Sequence, residues 1–540
     1  MVTHTVFNQV PPRENVDEYA TNVPLVEAVS KYDAGWALPQ LERIGRYVGT
    51  AQFQHDAERA NRIEPELHAH DRYGNRIDEV EYDSSYQRII AAAVAEGCHT
   101  SAWAEPRPGA NVARAAAFML FAQVEPGHAC PISMTHAAVP VIAASAAPEL
   151  ADGWMPRLLS RDYDGSLTAG KSSALFGMAM TEKQGGSDVR ANTTEALPIG
   201  DGSYLLTGHK WFCSAPMSDG FLVLAQAPGG LSCFLVARVL SDGSRNVFRI
   251  QRLKDKLGNR SNASSEIEFE NTLGFLVGEE GRGVKTIIEM VSRTRLDCIF
   301  GTTAGMRQAT AEALWHVRHR SAFGRVLVDQ PAMTNVVADL ALESEAATAT
   351  AMRLARAHDD DAGSTDRAFR RLATAVSKYY ICKLGPGHAY EALECLGGNG
   401  YTETFPLARR YREQPVMAVW EGSGNVIALD VLRALTREPE AFEAFDAELA
   451  LAAGASRVFD EHLESTRRLV REVAQTADAA LSARRLVGSL AVSLQASLLL
   501  RHAPNAIAEA FVDSRLGAAR GRVYGELSVG TDFAAIIARA

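Results

Sequence analysis

A run of short strand-like segments between residues 176 and 277 interrupts a chain whose pattern is otherwise helical. The segments are apolar or alternating and are separated by Gly, Asp, Asn and Ser, the pattern of a β-rich domain. They read SYLLTGHKWF, FLVLAQ, LSCFLVARVL, NVFRIQRL and SEIEFE. Because each element must bury its apolar face against another layer, we predict a mostly α fold with a central β-domain. The predicted domains are 1–175 (helical), 176–277 (β), 278–436 (a helical bundle) and 437–540 (an extra helical domain).

The composition argues against several classes of protein. The net charge of −10 argues against a general attraction to nucleic acid or acidic membranes. The seven cysteines form no CxxC pair and are odd in number, so we expect neither a zinc site nor a disulfide framework. The N-terminus does not resemble a secretory signal. The longest apolar stretch, 486–500, is shorter than the ~20 residues of a membrane span, and we expect a cytoplasmic protein.

The stretch MTEKQGGSDV (180–189) gathers small hydrogen-bonding groups where an apolar strand gives way to a Gly-rich turn. Its backbone N–H groups and the hydroxyls of Thr181 and Ser187 suit the carbonyls of a flat heterocycle. Gly185 and Gly186 permit close approach of the backbone. A solvated polar β-turn would have the same composition. The stretch is not GxGxxG, so it does not indicate a Rossmann phosphate turn.

Three further stretches offer groups for a cofactor. GHKWFCSAP places Trp211 and Ser214 between two predicted strands, where they would contact a ring system or fill the core. RSAFG presents Arg320 before a turn, which suits a phosphate or is a solvent-exposed helix end. ECLGGNGYTE (394–403) lets the backbone approach a dinucleotide or simply ends a helix.

Glu421 is the candidate for acid–base chemistry. It lies in the turn WEGSGN, directly before the apolar run 426–432. A carboxylate that is desolvated in such a turn has a raised pKa, which suits a general base. A helix N-terminal acid favoured by the helix dipole would occupy the same place.

Together these motifs resemble the acyl-CoA dehydrogenase flavoprotein family in order, spacing and identity. The resemblance rests on MTE…GSD, KWF.S, RxxFG, LGGxGY and the aromatic-Glu-Gly turn, and it extends over essentially the whole chain. The AidB branch, the alkylation-response flavoproteins of bacteria, is similar in MTEKQGGSDV, GHKWF, RLKDKLGNRSNAS (252–264), WEGSGN, the opening THTVFNQ and the extra C-terminal block. The resemblance implies an acyl-CoA dehydrogenase-like fold, FAD as cofactor and a homotetramer.

The resemblance also implies roles for individual residues. Glu421 would remove the α-proton of an acyl thioester while hydride leaves Cβ for flavin N5, and Arg320 would bind the pyrophosphate. The residues implied to contact FAD are Met180, Thr181, Gln184, Gly185, Gly186, Ser187, Asp188, Val189, Trp211, Ser214, Ala215, Pro216, Arg320, Val419, Trp420, Gly422, Ser423, Gly424, Asn425 and Leu429. Trp420 and Ser423 stand where the family has tyrosine and threonine, and Arg433 would bring a charge toward the substrate cavity that hinders a fatty acyl chain.

The AidB resemblance implies double-stranded DNA binding through the C-terminal block. Residues 455–540 hold 11 Arg and no Lys against 9 Asp and Glu. Arginines spaced in this way suit successive phosphates, although solvated arginine stripes on a helical domain would look the same. The candidates are Arg467, Arg468, Arg471, Arg484, Arg485, Arg515, Arg520 and Arg522.

Two functions follow from these patterns. The first is an FAD-containing, DNA-binding protein of the adaptive response to DNA alkylation, which shields duplex DNA and retains weak dehydrogenase activity. The second is an acyl-CoA dehydrogenase for a short branched thioester of the isovaleryl type, in which the C-terminal block serves assembly alone. The two differ in the roles of that block and of Glu421.

Overall fold

The computed structural model describes residues 3–517 and 521–540, so the candidate Arg520 lies outside the described residues. Its helices are α1 (Val23–Lys31), α2 (Leu38–Val48), α3 (Ala51–Arg62), α4 (Ser84–Ala95), α5 (Ser101–Ala104), α6 (Ala110–Val124), α7 (Ala129–Ser145), α8 (Pro148–Leu158), α9 (Gly283–His319), α10 (Pro331–Arg356), α11 (Ser364–Glu394), α12 (Pro406–Met417), α13 (Gly424–Arg437), α14 (Pro439–Ala450), α15 (Arg457–Gln475), α16 (Ala479–His502), α17 (Asn505–Arg515) and α18 (Phe533–Ile537). Its strands are β1 (Glu66–His70), β2 (Arg76–Glu81), β3 (Phe176–Ala179), β4 (Glu195–Gly200), β5 (Ser203–Ser214), β6 (Gly220–Ala227), β7 (Gly230–Ala237), β8 (Arg249–Leu253), β9 (Ser264–Val277), β10 (Ser321–Ala322) and β11 (Arg325–Val326). The predicted mostly α fold with a central β-domain is confirmed.

The chain forms two compact units, each assembled from separated stretches. The helical unit comprises residues 1–51, 107–124 and 298–540. The sheet unit comprises residues 52–106 and 125–297 and contains strands β1 to β9.

The large sheet of the sheet unit closes on itself. Its described strands follow the order β3-β6-β4-β5-β9-β7, with β8 paired to β9. Strand β6 also pairs with β7 along its whole length, from Gly220↔Ala237 to Ala227↔Gly230. Because β4 joins β6 through the pair Glu195↔Gln226, five strands complete a ring. This closure gives the β-domain its barrel-like form and removes most free strand edges.

Strand β6 is buried on both faces, which explains its unbroken apolar run. Phe221, Val223 and Ala225 pack into one core cluster together with residues of β5, β7 and β9. Leu222 and Leu224 point the other way, into a second cluster with residues of α7 and α8. A strand covered on both faces reads as a continuous hydrophobic stretch rather than an alternating one.

A short hairpin, β1–β2, lies inside the stretch that the sequence pattern assigned to helices. The two strands are antiparallel, and Glu66 pairs with Glu81. Their turn is fixed by Asp71, whose carboxylate accepts the N–H groups of Tyr73 at 2.8 Å and Asn75 at 2.9 Å. Polar residues on both faces, in ELHAH and RIDEVE, hide the alternation that reveals a strand.

Three features of the described residues concern disulfide bonds, membrane-spanning helices and metal sites. All seven cysteines are free thiols, and all are buried or half-buried. The described part of the chain contains no helix that is both long and apolar enough to cross a membrane. Within the same residues, no cluster of His, Cys, Asp or Glu is arranged to hold a metal ion.

Candidate functional site

A buried ion pair anchors the Met180 loop (residues 180–189) to strand β5. Glu182 and Lys210 are both fully buried, and Lys210 Nζ lies 2.7 Å from Glu182 Oε1. Glu182 also accepts the N–H of Thr193 at 2.7 Å and the hydroxyl of Thr194 at 2.6 Å. The MTE and KWF motifs are therefore the two halves of one contact.

The ion pair shifts the pKa of both partners. Burial alone would raise the pKa of Glu182, but the hydrogen bonds from Lys210, Thr193 and Thr194 hold it well below its usual range. Burial lowers the pKa of Lys210 to about 8, and the contact with Glu182 limits the fall. Both groups are charged at neutral pH, so the loss of either one leaves a buried charge without its partner.

The Met180 loop folds back on its own first residues. A Cβ on Gly186 would clash with the Thr181 hydroxyl, and Gly185 has a φ of +141°, so the turn needs glycine at both positions. The carbonyl of Thr181 accepts the N–H of Trp211 at 2.8 Å. Residues 183, 184 and 186–188 are exposed, whereas Met180, Thr181 and Val189 are half-buried. The loop is thus a fixed turn with an outer side that is open to a ligand.

The end of β5 presents an aromatic ring and a strained residue. Trp211 is half-buried, and Lys254 Nζ lies 3.2 Å from the centroid of its ring. Ser214 Oγ lies 3.3 Å from Ser264 Oγ. Ala215 has a φ of +50°, a conformation that costs a residue with a side chain roughly 1–2 kcal/mol. Neither Trp211 nor Phe212, which is 52% exposed, fills the core of the domain.

In the helical unit, a buried lysine holds the turn that carries Glu421. This Glu421 turn (residues 418–423) joins α12 to α13. Lys378 of α11 is fully buried, and its Nζ donates to the carbonyl of Trp420 at 2.8 Å and to that of Gly422 at 2.6 Å. Glu421 itself has a φ of +57°. A strained residue persists only where its surroundings fix it, and such residues cluster at functional sites.

Trp420 offers a donor that the protein leaves unused. Its ring packs against Cys298, Cys382 and Met417. Its Nε1 is buried and has no hydrogen-bond partner among the described residues. An unsatisfied buried donor costs about 1–3 kcal/mol, so this N–H fits an acceptor on a bound molecule.

The beginning of α13 combines positive charge with apolar surface. Arg484 Nε donates to Asn425 Oδ1 at 2.8 Å. A Cβ on Gly424 would lie 3.2 Å from Lys383 Nζ and 3.6 Å from Arg484 Nη2. Two cations at a helix N-terminus suit the phosphates of a dinucleotide. The neighbouring Val419 and Leu429 are 65% and 44% exposed, which suits a flat ring system, and Ser423 is exposed beside them.

Arg320 precedes the β10–β11 hairpin and is tied to the N-terminal segment. Its guanidinium donates to the carbonyl of Asn8. The amide of Asn8 in turn donates to the carbonyl of Ser321 at 2.8 Å and accepts its N–H at 2.9 Å. The opening THTVFNQ and the RSAFG stretch are thus parts of one local structure. The phosphate contact of Arg320 stays a prediction.

Two other candidates from the sequence are the Gly-rich stretch LGGNGY and Arg433. A Cβ on Gly400 would clash with the carbonyl of Leu393, so the glycines of LGGNGY let the chain turn sharply at the end of α11. Arg433 is exposed and lies 3.5 Å from Asp430, one turn earlier on α13. The place of Arg433 in the substrate cavity stays a prediction.

The C-terminal arginines divide into engaged and open side chains. Arg515 is buried against Asp339 and Glu343, and Arg467 is paired with Asp446 and Glu464. Arg484 is held by Asn425, so these three arginines have protein partners. The partners of Arg484 and Arg515 lie 59 or more positions away in the chain, whereas Arg467 also pairs with Glu464 on its own helix. The exposed candidates that form no ion pair within 4 Å in the described residues are Arg468, Arg471, Arg485 and Arg522, although Glu464 interacts with the charges of Arg468 and Arg471.

Of the residues that sequence reasoning missed, Lys378 and Glu182 matter most. Lys378 stands 42 positions before the carbonyl of Trp420 that it binds. The one signal in the sequence is that lysine is rare in this chain, which has nine of them. Glu182 is visible as part of MTE, but its polar neighbours give no sign that it is fully buried.

Comparison with known proteins shows the family of this chain. The model of the adaptive response protein AidB N-terminal domain matches residues 8–165. The models of the acyl-CoA dehydrogenase middle and C-terminal domains match residues 177–272 and 281–436. The Escherichia coli (strain K12) protein named "Putative acyl-CoA dehydrogenase AidB" is 46% identical over 476 residues, which cover 88% of each chain. Acyl-CoA dehydrogenase family member 11 of Caenorhabditis elegans is 28% identical over 450 residues, covering 80% of this chain and 72% of that one.

Solved structures agree with this result. The apo-form of Bd2924 superposes with a TM-score of 0.84 at 26% identity, covering 92% of this chain and all of that one. Caenorhabditis elegans ACDH-11 in complex with C11-CoA superposes with a TM-score of 0.88 at 23% identity, covering 98% and 95% of the two chains. The fold, the sequence relatives and the matched domains lead to one conclusion: the chain belongs to the acyl-CoA dehydrogenase family of FAD-binding proteins, and within it to the AidB branch.

Proposed function

We propose that this protein binds FAD and dehydrogenates an acyl thioester, with Glu421 as the base that removes the α-proton. The observation that carries the proposal is the Glu421 turn, in which Lys378 binds the carbonyls on both sides of the glutamate. That contact holds the strained backbone of Glu421 in one conformation. A general base needs a fixed position relative to the proton that it removes.

Several features of the separate units support FAD as the cofactor. In the sheet unit, the open side of the Met180 loop, with Gln184, Ser187 and Asp188, would contact the flavin. The half-buried Trp211 and the neighbouring Ser214 would do the same. In the helical unit, the unpaired Nε1 of Trp420 would donate to the cofactor. The other helical-unit residues of the proposed set are Arg320, Val419, Gly422, Ser423, Gly424, Asn425 and Leu429.

The residues of the chain would share the work of the reaction. FAD, when bound, accepts the hydride equivalent that leaves Cβ of the substrate. Glu421 takes the α-proton onto a carboxylate oxygen, while Lys378 keeps the peptide groups around it in place. The exposed apolar side chains of Val419 and Leu429 would exclude water from the ring system.

The substrate class that we propose is a short or branched acyl thioester. Relatives over about half of this chain include the isovaleryl-CoA dehydrogenase of Oryza sativa subsp. japonica, at 27% identity over 294 residues. The short/branched chain specific acyl-CoA dehydrogenase of Bos taurus is 26% identical over 286 residues. We do not extend the proposal to one acyl group.

Anaerobic bleaching of the flavin by a panel of acyl-CoA thioesters tests this function. We expect at least one short or branched thioester to bleach the wild-type flavin, and Glu421→Gln to retain FAD but lose bleaching. The matched control is Glu440→Gln, an exposed glutamate in the first turn of α14, which should bleach as the wild type does. Bleaching by Glu421→Gln at the wild-type rate, or no bleaching of the wild type, would contradict the proposal.

We further propose that the protein binds duplex DNA and shields it during alkylation stress. The specific support is a group of exposed arginines near one end of the α15–α16 hairpin: Arg468, Arg471 and Arg485. The two helices pack together and are joined by residues 476–478. Glu464 and Glu472 lie on the same helix as two of the arginines, so a single copy would bind weakly. A homotetramer would repeat the group four times and raise the affinity through avidity.

Duplex binding measured across a salt series tests the DNA proposal. Each phosphate contact that is lost should reduce the magnitude of the slope of log affinity against log salt by about 1 unit, so Arg468→Gln/Arg471→Gln/Arg485→Gln should reduce it by about 3 units for each protomer that contacts the duplex. The charge-matched control, Arg62→Gln/Arg72→Gln/Arg282→Gln, removes three exposed arginines of the sheet unit and should leave the slope unchanged. The proposal fails if the intact protein does not bind duplex DNA or binds it independently of salt.

A further inference from the structure

The helical unit contains a cavity of about 410 Å³ that is separate from the residues proposed to contact FAD. It is lined by α1, by α10 and by the end of α16 with the residues that follow it. One wall is apolar and is formed by Ala28, Ala349, Leu498 and Leu499. The volume lies in the lower part of the range of about 300–1,000 Å³ that small-molecule sites occupy.

Two polar side chains in this cavity have no hydrogen-bond acceptor within the described chain: Lys31 and Tyr32. Lys31 Nζ lies 5.8 Å from the centroid of the Tyr32 ring, so the ammonium and the phenol are neighbours. Burial raises the pKa of Tyr32 to about 12, so its hydroxyl keeps its proton. Burial and the cations Lys31 and Arg501 lower the pKa of His502 to about 4, so its ring is neutral, and it is hydrogen-bonded to the backbone of Arg501.

The two carboxylates of the cavity, Glu27 and Glu345, form ion pairs with Arg539. Arg539 Nη2 lies 2.6 Å from Glu27 Oε2 and 2.8 Å from Glu345 Oε1. Its Nε adds a further contact to Glu345 at 3.0 Å. Because Arg539 engages both acids, the polar side chains of the cavity that stay free are the donors Lys31 and Tyr32, one of them a cation. A ligand that satisfies them must bring acceptor oxygens and negative charge.

We propose that this cavity binds a small monocarboxylate with an apolar body. The carboxylate would accept from Lys31 and Tyr32, and the body would pack on Leu498, Leu499 and Ala349. A dianion such as phosphate fits less well, since Glu27 and Glu345 share a single arginine and much of the remaining lining is apolar. This site is additional to the proposed dehydrogenase and DNA functions and does not depend on either.

Isothermal titration of the intact, FAD-loaded protein tests the site with matched ligand pairs. The probes are hexanoate and benzoate, their neutral amides hexanamide and benzamide, and inorganic phosphate. We expect the carboxylates to bind and the amides to bind at least about tenfold more weakly, because a charge-assisted contact is lost. Phosphate should not bind.

Variants localise the binding to the cavity. Lys31→Met should weaken carboxylate binding by about 10-fold to 100-fold without affecting folding, because the lysine is exposed. Ala349→Phe should abolish binding by filling the cavity, with a thermal midpoint close to the wild-type value. Lys285→Met, a second exposed lysine outside the cavity, should bind as the wild type does.

Four results would overturn the proposal. They are equal binding of acids and amides, binding of phosphate at the affinity of the carboxylates, unchanged binding by Lys31→Met, and competition between the carboxylate and an acyl-CoA. The last would show that the probe occupies the proposed dehydrogenase site instead. If no acyl-CoA bleaches the flavin but the carboxylates still bind, the dehydrogenase proposal fails and the cavity proposal stands.

Discussion

Replacing Lys378 with methionine tests whether the Glu421 turn depends on the buried ammonium beneath it. Methionine keeps most of the volume of the side chain but cannot donate to the carbonyls of Trp420 and Gly422. Each carbonyl left without a partner destabilises the folded state by about 1–3 kcal/mol. Removing the buried charge stabilises it, because the desolvation cost of that charge, several kcal/mol, is no longer incurred. The two effects oppose each other, so we expect the free energy of unfolding to change by no more than about 3 kcal/mol.

The catalytic effect should be larger than the effect on stability. Glu421 is held at a φ of +57°, which costs roughly 1–2 kcal/mol, so the freed turn should relax toward ordinary backbone angles. A displacement of a catalytic group by about 1 Å lowers the rate by about 100-fold, or about 2.7 kcal/mol in the barrier. We therefore expect kcat to fall by about 100-fold in Lys378→Met while KM changes little.

The assay combines steady-state dehydrogenation, the flavin absorbance of the purified protein and thermal unfolding. The matched control is Lys171→Met, which removes another buried lysine, one that lies 2.8 Å from Asp219 in the sheet unit. The control should lose stability because Asp219 is left buried, but it should keep its kcat. Wild-type kcat in Lys378→Met would refute the positioning role, and so would a loss of activity that merely follows the loss of FAD or of folded protein.

Four further outcomes follow from the contacts described above. Glu182→Gln should lower the free energy of unfolding by about 3–5 kcal/mol in denaturant titrations, because Lys210 stays buried without its partner, and the double variant with Lys210→Met should recover part of that loss. Gly186→Ala should distort the Met180 loop and lower the FAD content measured by absorbance, and full FAD occupancy would contradict the proposed contact. Burial lowers the pKa of His388 to about 4, so below pH 6.5 the unfolded chain binds a proton there that the folded chain does not, and this histidine alone should make stability fall by about 1.4 kcal/mol per pH unit down to pH 4; because burial lowers the pKa of His316 and His502 in the same way, His388→Gln should reduce the slope by that amount without abolishing it. Arg515→Met should lower the thermal midpoint but leave the salt dependence of DNA binding unchanged, and a changed salt slope would return Arg515 to the DNA-contacting set.

The parts of the fold that local pattern controls were predictable from the sequence. Apolar runs and Gly-rich turns predict the strands β5 to β9, and the structure confirms a strand in each of these segments. The closure of the sheet was not predictable, because β4 meets β6 through the pair Glu195↔Gln226, two polar residues without a distinctive pattern. The division into two units was not predictable for the same reason, because local sequence patterns do not show which distant stretches of the chain pack together.

The candidate site shows the same difference between local and distant contacts. The Met180 loop and the Glu421 turn were visible as short motifs, because each is built mainly by its own residues. Lys378 was not visible, because its contact with the turn crosses 42 positions of sequence. Arg515 was assigned to DNA from the spacing of arginines, yet its partner Asp339 lies 176 positions earlier.

The division of the chain into interleaved stretches also sets an order of assembly during synthesis. The sheet unit needs nothing beyond residue 297, so a ribosome that has released that length has already supplied all of it. The helical unit must wait for its last residues, because Arg539 pairs with Glu27 across 512 positions. At roughly 5–20 residues per second, the early stretches 1–51 and 107–124, which contact each other, remain without their later partner α10 for tens of seconds. During that interval the apolar faces of α1 and α6 are open, and the nascent chain is then most exposed to chaperones and proteases.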